Sequence, residues 1–139
     1  MSQMDRLAEY PTNQTQSPMS KQAHIRKTMA WARAHGFDDI KANIPEDETC
    51  VPPIAYGRKD GEEAFVPDVT GESVHGMSYF EVVMKTDPMN HLISKLKLIS
   101  VLAARRGGKL YLMAPKGHFQ FARDVAQENQ IIVELIRLD

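Results

Sequence analysis

One strand–helix–strand segment constrains the fold more than any other part of this sequence. It reads as a strand over Met77–Lys85, a helix over about 87–106 and a second strand over Lys109–Ala114. Two strands joined by a helix of this length pair in parallel through a crossover connection. The first strand is an almost unbroken apolar run, which is typical of a strand covered on both faces. We therefore expect it to be central in a sheet, with Phe80, Val82 and Met84 buried under a helix.

The remaining elements predict a mixed α/β fold. Ser20 is a suitable N-cap for the first helix, and Gly36 suits the position just past its end. Asp87 and Pro88 suit the N-cap and first residue of the second helix. The other predicted elements are a helix over Lys21–His35, strands near Phe37–Ile44 and Ala64–Thr70, a hairpin turn at Arg58–Gly61, a turn at Gly71–Gly76, a helix over His118–Asn129 and a strand over Ile131–Leu138.

Length and composition predict one domain behind a short arm. The chain has 139 residues, 42% of them hydrophobic, which is ordinary for one globular domain. Residues 1–19 are polar and aperiodic, so we interpret them as a flexible arm ahead of a single domain over 20–139. No stretch approaches the roughly 18 apolar residues of a membrane span, which predicts no membrane partner. The single cysteine, Cys50, excludes an internal disulfide and favours a reducing, cytoplasmic setting.

Charge is divided unevenly between the two parts of the chain. Residues 1–84 hold 8 Lys/Arg and 13 Asp/Glu, a net charge of −5. Residues 85–139 hold 9 Lys/Arg and 5 Asp/Glu, a net charge of +4. This division is compatible with an acidic metal pocket beside a basic surface that faces phosphates, and equally with chance unevenness on a solvated surface.

Two carboxylates stand where burial is expensive. Glu81 lies in the middle of an apolar strand, where an anion must be paired or bound to a cation. Asp68 follows Pro67 on the preceding strand and can lie across from Glu81. Two carboxylates on adjacent strands form an oxygen-rich site suited to Mg²⁺ or Mn²⁺. Such a metal can activate water and stabilise a phosphoryl transition state.

These residues resemble a known family of nucleases. Pro67-Asp68, followed by Glu81 inside a hydrophobic strand and then a lysine, is similar to the PD-(D/E)xK motif of the restriction-endonuclease-like superfamily. The resemblance covers roughly residues 20–136. It implies a mixed sheet flanked by helices, in the order α-β-β-β-α-β with an extra C-terminal helix and strand. It also implies a metal-dependent endonuclease in which Asp68 and Glu81 hold the metal.

The lysine of the motif is displaced in this sequence. The usual lysine position, two residues after the acidic residue, holds Val83. Lys85 stands two residues further along the same predicted strand face. In nucleases of the family that the motif resembles, the lysine can instead lie on a neighbouring helix. Lys95 is then the candidate, and it shares a helix face with His91. We expect Lys95 rather than Lys85 to be the active-site base or charge stabiliser, because Val83 already fills the position nearest the metal.

The sequence leaves three functions open. The first is an endonuclease that cleaves nucleic acid, DNA in the first place, with a homodimer implied by the resemblance. The second is a catalytically inactive module of the same fold that binds nucleic acid or serves in assembly, and Val83 favours it. The third is a plain α/β protein in which Asp68 is a turn residue and Glu81 forms a structural ion pair with Lys85 or with a base on a neighbouring strand. In the first two, phosphate contacts are expected from six cations of the basic half: Lys97, Arg105, Arg106, Lys109, Lys116 and Arg123.

Overall fold

A five-stranded mixed sheet with three helices forms the part of the chain that the structure, a computed structural model, describes: residues 19–57 and 64–138. The fold is therefore mixed α/β. The arm predicted over residues 1–19 lies almost wholly outside the described residues, as does the turn at 58–61. In chain order the elements are α1 (Met19–Ala34), β1 (Asp38–Ala42), β2 (Val69–Ser73), β3 (Gly76–Val82), α2 (Met89–Arg105), β4 (Gly107–Ala114), α3 (Phe119–Glu128) and β5 (Glu134–Arg137).

The strands lie in the order β1-β2-β3-β4-β5, so β3 is central, as the sequence predicted. The pairs β1–β2 and β2–β3 are antiparallel, while β3–β4 and β4–β5 are parallel. The crossover from β3 to β4 runs through α2. The antiparallel half and the parallel half of the sheet therefore meet at β3.

Hydrophobic cores cover both faces of the sheet. On one face, Phe80 and Val82 of β3 pack with Ile25 and Ala32 of α1. On the other, Tyr79 packs with the apolar stripes of α2 and α3. The alternation of side chains along β3 produces this division. Glu81, next in line after Phe80, points toward the α2 face.

The second strand begins later than the sequence predicted. The prediction was Ala64–Thr70 followed by a turn from Gly71, but β2 spans Val69–Ser73 and Gly71 lies inside it. Only one antiparallel bridge, between Tyr56 and Phe65, stands in the earlier stretch of the described residues. Gly71 is accommodated in the strand because its missing side chain makes room for Phe37, whose Cβ lies 3.1 Å from where a Cβ would stand.

The predicted helix caps at Ser20 and Asp87 are wrong. α1 already begins at Met19, which places Ser20 inside the helix. The N-cap of α2 is Pro88, with extended backbone angles. Asp87 instead closes the turn before it, since its Oδ2 accepts a hydrogen bond from the amide of Met84 at 2.9 Å. The last predicted strand, from Ile131, is also shorter than expected and begins at residue 134.

Candidate active site

Asp68 and Glu81 lie opposite each other at the end where β2 begins and β3 ends. The antiparallel register pairs Val69 with Phe80, so the two neighbouring residues, Asp68 and Glu81, face across the gap. The amide of Asp68 donates to Glu81 Oε2 at 2.7 Å, and the amide of Val82 donates to Asp68 Oδ2 at 2.9 Å. Both side chains are only 2–3% exposed. Backbone donors therefore hold both carboxylates in fixed positions.

Lys95 reaches both carboxylates from α2. Its Nζ lies 2.9 Å from Glu81 Oε1 and 4.0 Å from Asp68 Oδ1. Leu92, Leu96 and Ile99 bury the adjacent face of α2 against the sheet, which brings the lysine stem down onto the strand ends. Its side chain is 12% exposed. Asp68, Glu81 and Lys95, three of the residues singled out in the sequence, are thus brought together.

The electrostatics of this group are strongly perturbed. Burial, and then the charge of Asp68, raise the pKa of Glu81 to about 7. Burial alone would lower the pKa of Lys95, but the charges of Glu81 and Asp68 outweigh it and raise that pKa above its usual value. Lys95 therefore stays protonated at neutral pH, while Glu81 is poised to gain or lose a proton.

A second lysine, not predicted from the sequence, approaches Asp68 from α1. Lys21 Nζ lies 3.6 Å from Asp68 Oδ2, and its side chain is 20% exposed. Lys21 shares a helix face with Ile25 and Thr28, both fully buried against the sheet. That spacing was the signal in the sequence that could have identified it. Asp87 also lies close enough to interact with both lysines, and burial raises the pKa of its carboxyl.

Lys85 does not join the group. β3 ends at Val82, so the strand alternation that placed Lys85 on the face of Glu81 does not continue that far. The side chain of Lys85 is exposed, and its amide donates to His118 Nδ1 at 3.0 Å. Glu81 pairs with Lys95, so the expected alternative of a Glu81–Lys85 ion pair is wrong. His91, on the same helix as Lys95, lies beside Phe65 with ring centroids 5.1 Å apart.

The six cations predicted to contact phosphates are all exposed, but the structure does not gather them at the carboxylates. Lys116 follows the end of β4, which lies beside the end of β3 that carries Glu81. Arg105, Arg106 and Lys109 lie at the opposite end, where the carbonyl of Arg106 accepts a hydrogen bond from the amide of Met77. Glu81 stands four positions after Met77 along the strand, about 13 Å at ~3.3 Å per residue. Lys97 and Arg123 stand on the outer surfaces of α2 and α3.

Two carboxylates are the kind of oxygen donors that a hydrated divalent cation takes. Asp68 Oδ1 and Glu81 Oε1 both face Lys95 Nζ, and in this structure its ammonium group is the cation beside them. Within residues 19–57 and 64–138, no group of three or more His, Cys, Asp or Glu side chains is placed to hold a metal ion. Mg²⁺ does not need such a group, because it usually keeps several waters and binds one or two carboxylates together with substrate phosphates.

No family model matches the chain, and comparison with the curated proteins and with the solved structures found no significant match. None of the described helices is both long enough and apolar enough to cross a membrane.

Proposed function

We propose that this chain is a metal-dependent endonuclease with a restriction-endonuclease-like fold, which hydrolyses phosphodiester bonds in DNA. The observation that carries the proposal is the convergence of Asp68, Glu81 and Lys95 where β2 begins and β3 ends. A buried pair of carboxylates is costly to the fold unless cations compensate it. Two carboxylates that can hold a metal ion, beside a lysine that can stabilise charge on a phosphate, are groups suited to phosphodiester hydrolysis.

The order of elements supports the same proposal. One helix, three antiparallel strands, a crossover helix and a parallel strand follow one another as α1-β1-β2-β3-α2-β4. This is the order that the resemblance of the motif implies. The helix α3 and strand β5 then form the expected C-terminal addition.

Each residue of the site has a distinct role in hydrolysis. Asp68 and Glu81 would hold Mg²⁺ or Mn²⁺, which when bound supplies Lewis acidity and an activated water. Lys95 keeps its proton next to Glu81, and its ammonium group stabilises the negative charge that develops on the phosphate. Lys21 holds the Asp68 carboxylate from the opposite side of the sheet. Val83 does not leave the site without a lysine, because Lys95 takes the place that the usual motif assigns to that position.

Charge balance explains how the site attracts its substrate. The carboxylates of Asp68, Glu81 and Asp87 and the two ammonium groups on Lys21 and Lys95 sum to a charge of −1 when all are ionised. A dication would change this sum to +1, which favours a phosphodiester at the same place. Lys116, exposed at this end of the sheet, extends the positive region toward the backbone of the nucleic acid. The described residues of one copy form one such site, so we propose that cleavage of both strands of a duplex requires a homodimer.

The decisive experiment is a nicking assay on supercoiled plasmid with Mn²⁺ or Mg²⁺. We expect the native protein to convert supercoiled DNA to the nicked form, and EDTA to prevent this. Asp68→Asn and Glu81→Gln should abolish nicking. Glu72→Gln is the matched control, because Glu72 is an exposed carboxylate on β2. Circular dichroism checks that each variant is folded.

Two outcomes would overturn the proposal. If the native protein cleaves nothing with either metal but still binds DNA, the inactive binding module replaces the endonuclease. The internal neutralisation of both carboxylates by lysines is the observation that favours this second function. If nicking persists in Asp68→Asn and Glu81→Gln, the activity does not come from this site.

A further inference from the structure

A cavity of about 660 Å³ opens at the opposite end of the sheet from Asp68 and Glu81. It lies between the C-terminal end of α1 and the first residues of β3 and β4. Ser78 of β3 lines it and stands three positions before Glu81, about 10 Å away along the strand. The two side chains also point to opposite faces of the sheet. The cavity volume falls within the roughly 300–1,000 Å³ of small-molecule sites.

Aromatic rings form one wall of this cavity. Trp31 and Tyr111 line it with ring centroids 5.6 Å apart, and Phe37 lies 5.8 Å from Tyr111 at an angle of 83°. His35, which also lines the cavity, stacks on one face of Trp31 at 3.7 Å, and Phe80 stacks on one face of Tyr111 at 4.8 Å. Trp31 and Tyr111 are partly exposed. Planar aromatic ligands stack on such rings, and stacking of a nucleobase contributes about 1–3 kcal/mol.

Cationic and hydrogen-bonding groups form the rest of the lining. Lys109 carries an ammonium group whose ion pair with Glu134, at 3.8 Å, is exposed on both sides and therefore weak. Ser78 Oγ accepts a hydrogen bond from the amide of Lys109 at 3.1 Å, so the hydroxyl hydrogen of Ser78 can be donated to a ligand. The exposed imidazole of His75 lines the same side. Arg105 and Arg106 directly precede the part of β4 that forms the rim.

We propose that this cavity binds a nucleotide, with the base against Trp31 and Tyr111 and the phosphate against Lys109 and His75. Partly exposed aromatic rings beside a cation suit a planar base that carries a phosphate. Bases inside a duplex are stacked and cannot enter a cavity, so the ligand is either a free nucleotide or an unpaired nucleotide of a single strand. The proposal goes beyond the endonuclease function and uses none of the residues of the carboxylate site.

The lone tryptophan of the chain provides the measurement, because Trp31 is the only one. Its fluorescence, excited at 295 nm, is recorded while AMP, adenosine or a 5′-phosphorylated single-stranded oligodeoxyadenylate pentamer is added in EDTA. Free N-acetyltryptophanamide corrects for absorption by the ligand. We expect saturable quenching by AMP or by the pentamer, and at least tenfold weaker binding of adenosine. Equal affinity for AMP and the pentamer identifies a free nucleotide as the ligand, whereas much tighter binding of the pentamer identifies a single strand.

Substitutions at the cavity test whether the ligand binds there. Lys109→Ala and His75→Ala, both at exposed side chains, should each weaken binding at least fivefold. Arg33→Ala removes an exposed cation of α1 that does not line the cavity and should leave binding unchanged. Asp68→Asn should also leave it unchanged, so the result is independent of cleavage. The proposal is overturned if no probe quenches saturably, if adenosine binds as tightly as AMP, or if neither Lys109→Ala nor His75→Ala weakens binding.

Discussion

The amide of Asp68 donates a hydrogen bond to the carboxylate of Glu81 over 2.7 Å, while the residue after Glu81 donates one back to Asp68. Two acidic side chains thus take the place of the next rung of the β2–β3 ladder. The arrangement fixes the two carboxylates relative to each other without a metal ion. It also leaves Glu81 Oε1 and Asp68 Oδ1 facing Lys95, so the stability of the fold and the chemistry of the site depend on the same three side chains.

Substitution of Lys95 on α2 should lower both the stability of the fold and the rate of cleavage. Lys95→Ala leaves two buried carboxylates without their nearest cation, and we expect a loss of about 3 kcal/mol in the free energy of unfolding at pH 8. Cleavage should also be abolished. Lys85→Ala is the matched control, because that side chain is exposed, and it should change stability by less than about 0.5 kcal/mol. Urea denaturation and plasmid nicking measure the two effects. A larger effect of Lys85→Ala on either would contradict the assignment of Lys95.

Because the pKa of Glu81 is raised, the stability of the protein should depend on pH. The folded pKa of Glu81 is about 7, against an ordinary value of 4.5, so between these values the folded state holds a proton that the unfolded state has lost. The contribution of Glu81 to stability therefore falls as pH rises from about 4.5 to 7. The glutamine side chain of Glu81→Gln does not titrate. The free energy of unfolding of this variant, relative to that of the native protein, should therefore rise by on the order of 1–3 kcal/mol between pH 5 and pH 8.

Urea denaturation in EDTA at both pH values measures this difference. All other titrating groups are common to the two proteins and cancel to first order. Glu72→Gln, at an exposed carboxylate, should instead give a profile parallel to that of the native protein. Parallel profiles for Glu81→Gln as well would show that the pKa of Glu81 is not raised.

The elements that local pattern determines were predictable, and those set by long-range contacts were not. The apolar run around Phe80 predicted a central strand, and helical spacing placed Lys95 on the helix beside it. Lys85 was misplaced because the end of β3 depends on its neighbours in the sheet, which the sequence of one strand does not record. Lys21 was missed because it stands 47 residues from Asp68 in the chain. The charge of the basic half was countable, but only the parallel register of β3 and β4 shows that Lys116, and not Arg106, lies at the end of the sheet that carries Glu81.

If Asp68 holds the proposed metal ion, Lys21 competes with that ion for the same carboxylate. The ammonium group of Lys21 lies 3.6 Å from Asp68 Oδ2, so Lys21→Ala removes positive charge from beside this carboxylate. We expect the variant to bind Mn²⁺ about two- to fivefold more tightly, as for a partly exposed ion pair worth about 0.5–1 kcal/mol. Its KM for DNA should rise, because the site then holds less positive charge. Calorimetric titration with Mn²⁺ tests the first effect, with Arg33→Ala as control, and weaker Mn²⁺ binding would contradict it.

Binding of DNA should depend steeply on salt, because each phosphate contact releases a condensed counterion. The structure makes this prediction specific to one end of the sheet. Lys116→Glu, beside the carboxylates, should weaken binding of duplex DNA of any sequence and reduce the slope of log K against log salt by about one or more. The double variant Arg105→Glu/Arg106→Glu should affect duplex binding less, since these residues lie at the far end. Fluorescence anisotropy at several salt concentrations distinguishes the two, and equal effects would show that DNA spans the whole sheet.

The junction between α2 and β4 requires glycine at a specific place. Gly107 has φ +82°, and a Cβ there would collide with the backbone carbonyl oxygen of His75. Gly117 has nearly the same φ, +88°, but a Cβ there meets nothing within 4 Å. Alanine at either position carries the cost of a left-handed conformation, about 1–2 kcal/mol. We expect Gly117→Ala to lose about that amount of stability and Gly107→Ala to lose clearly more, because the β3–β4 pair must also separate at its first residues. Urea denaturation measures both, and equal losses would show that His75 moves aside without cost.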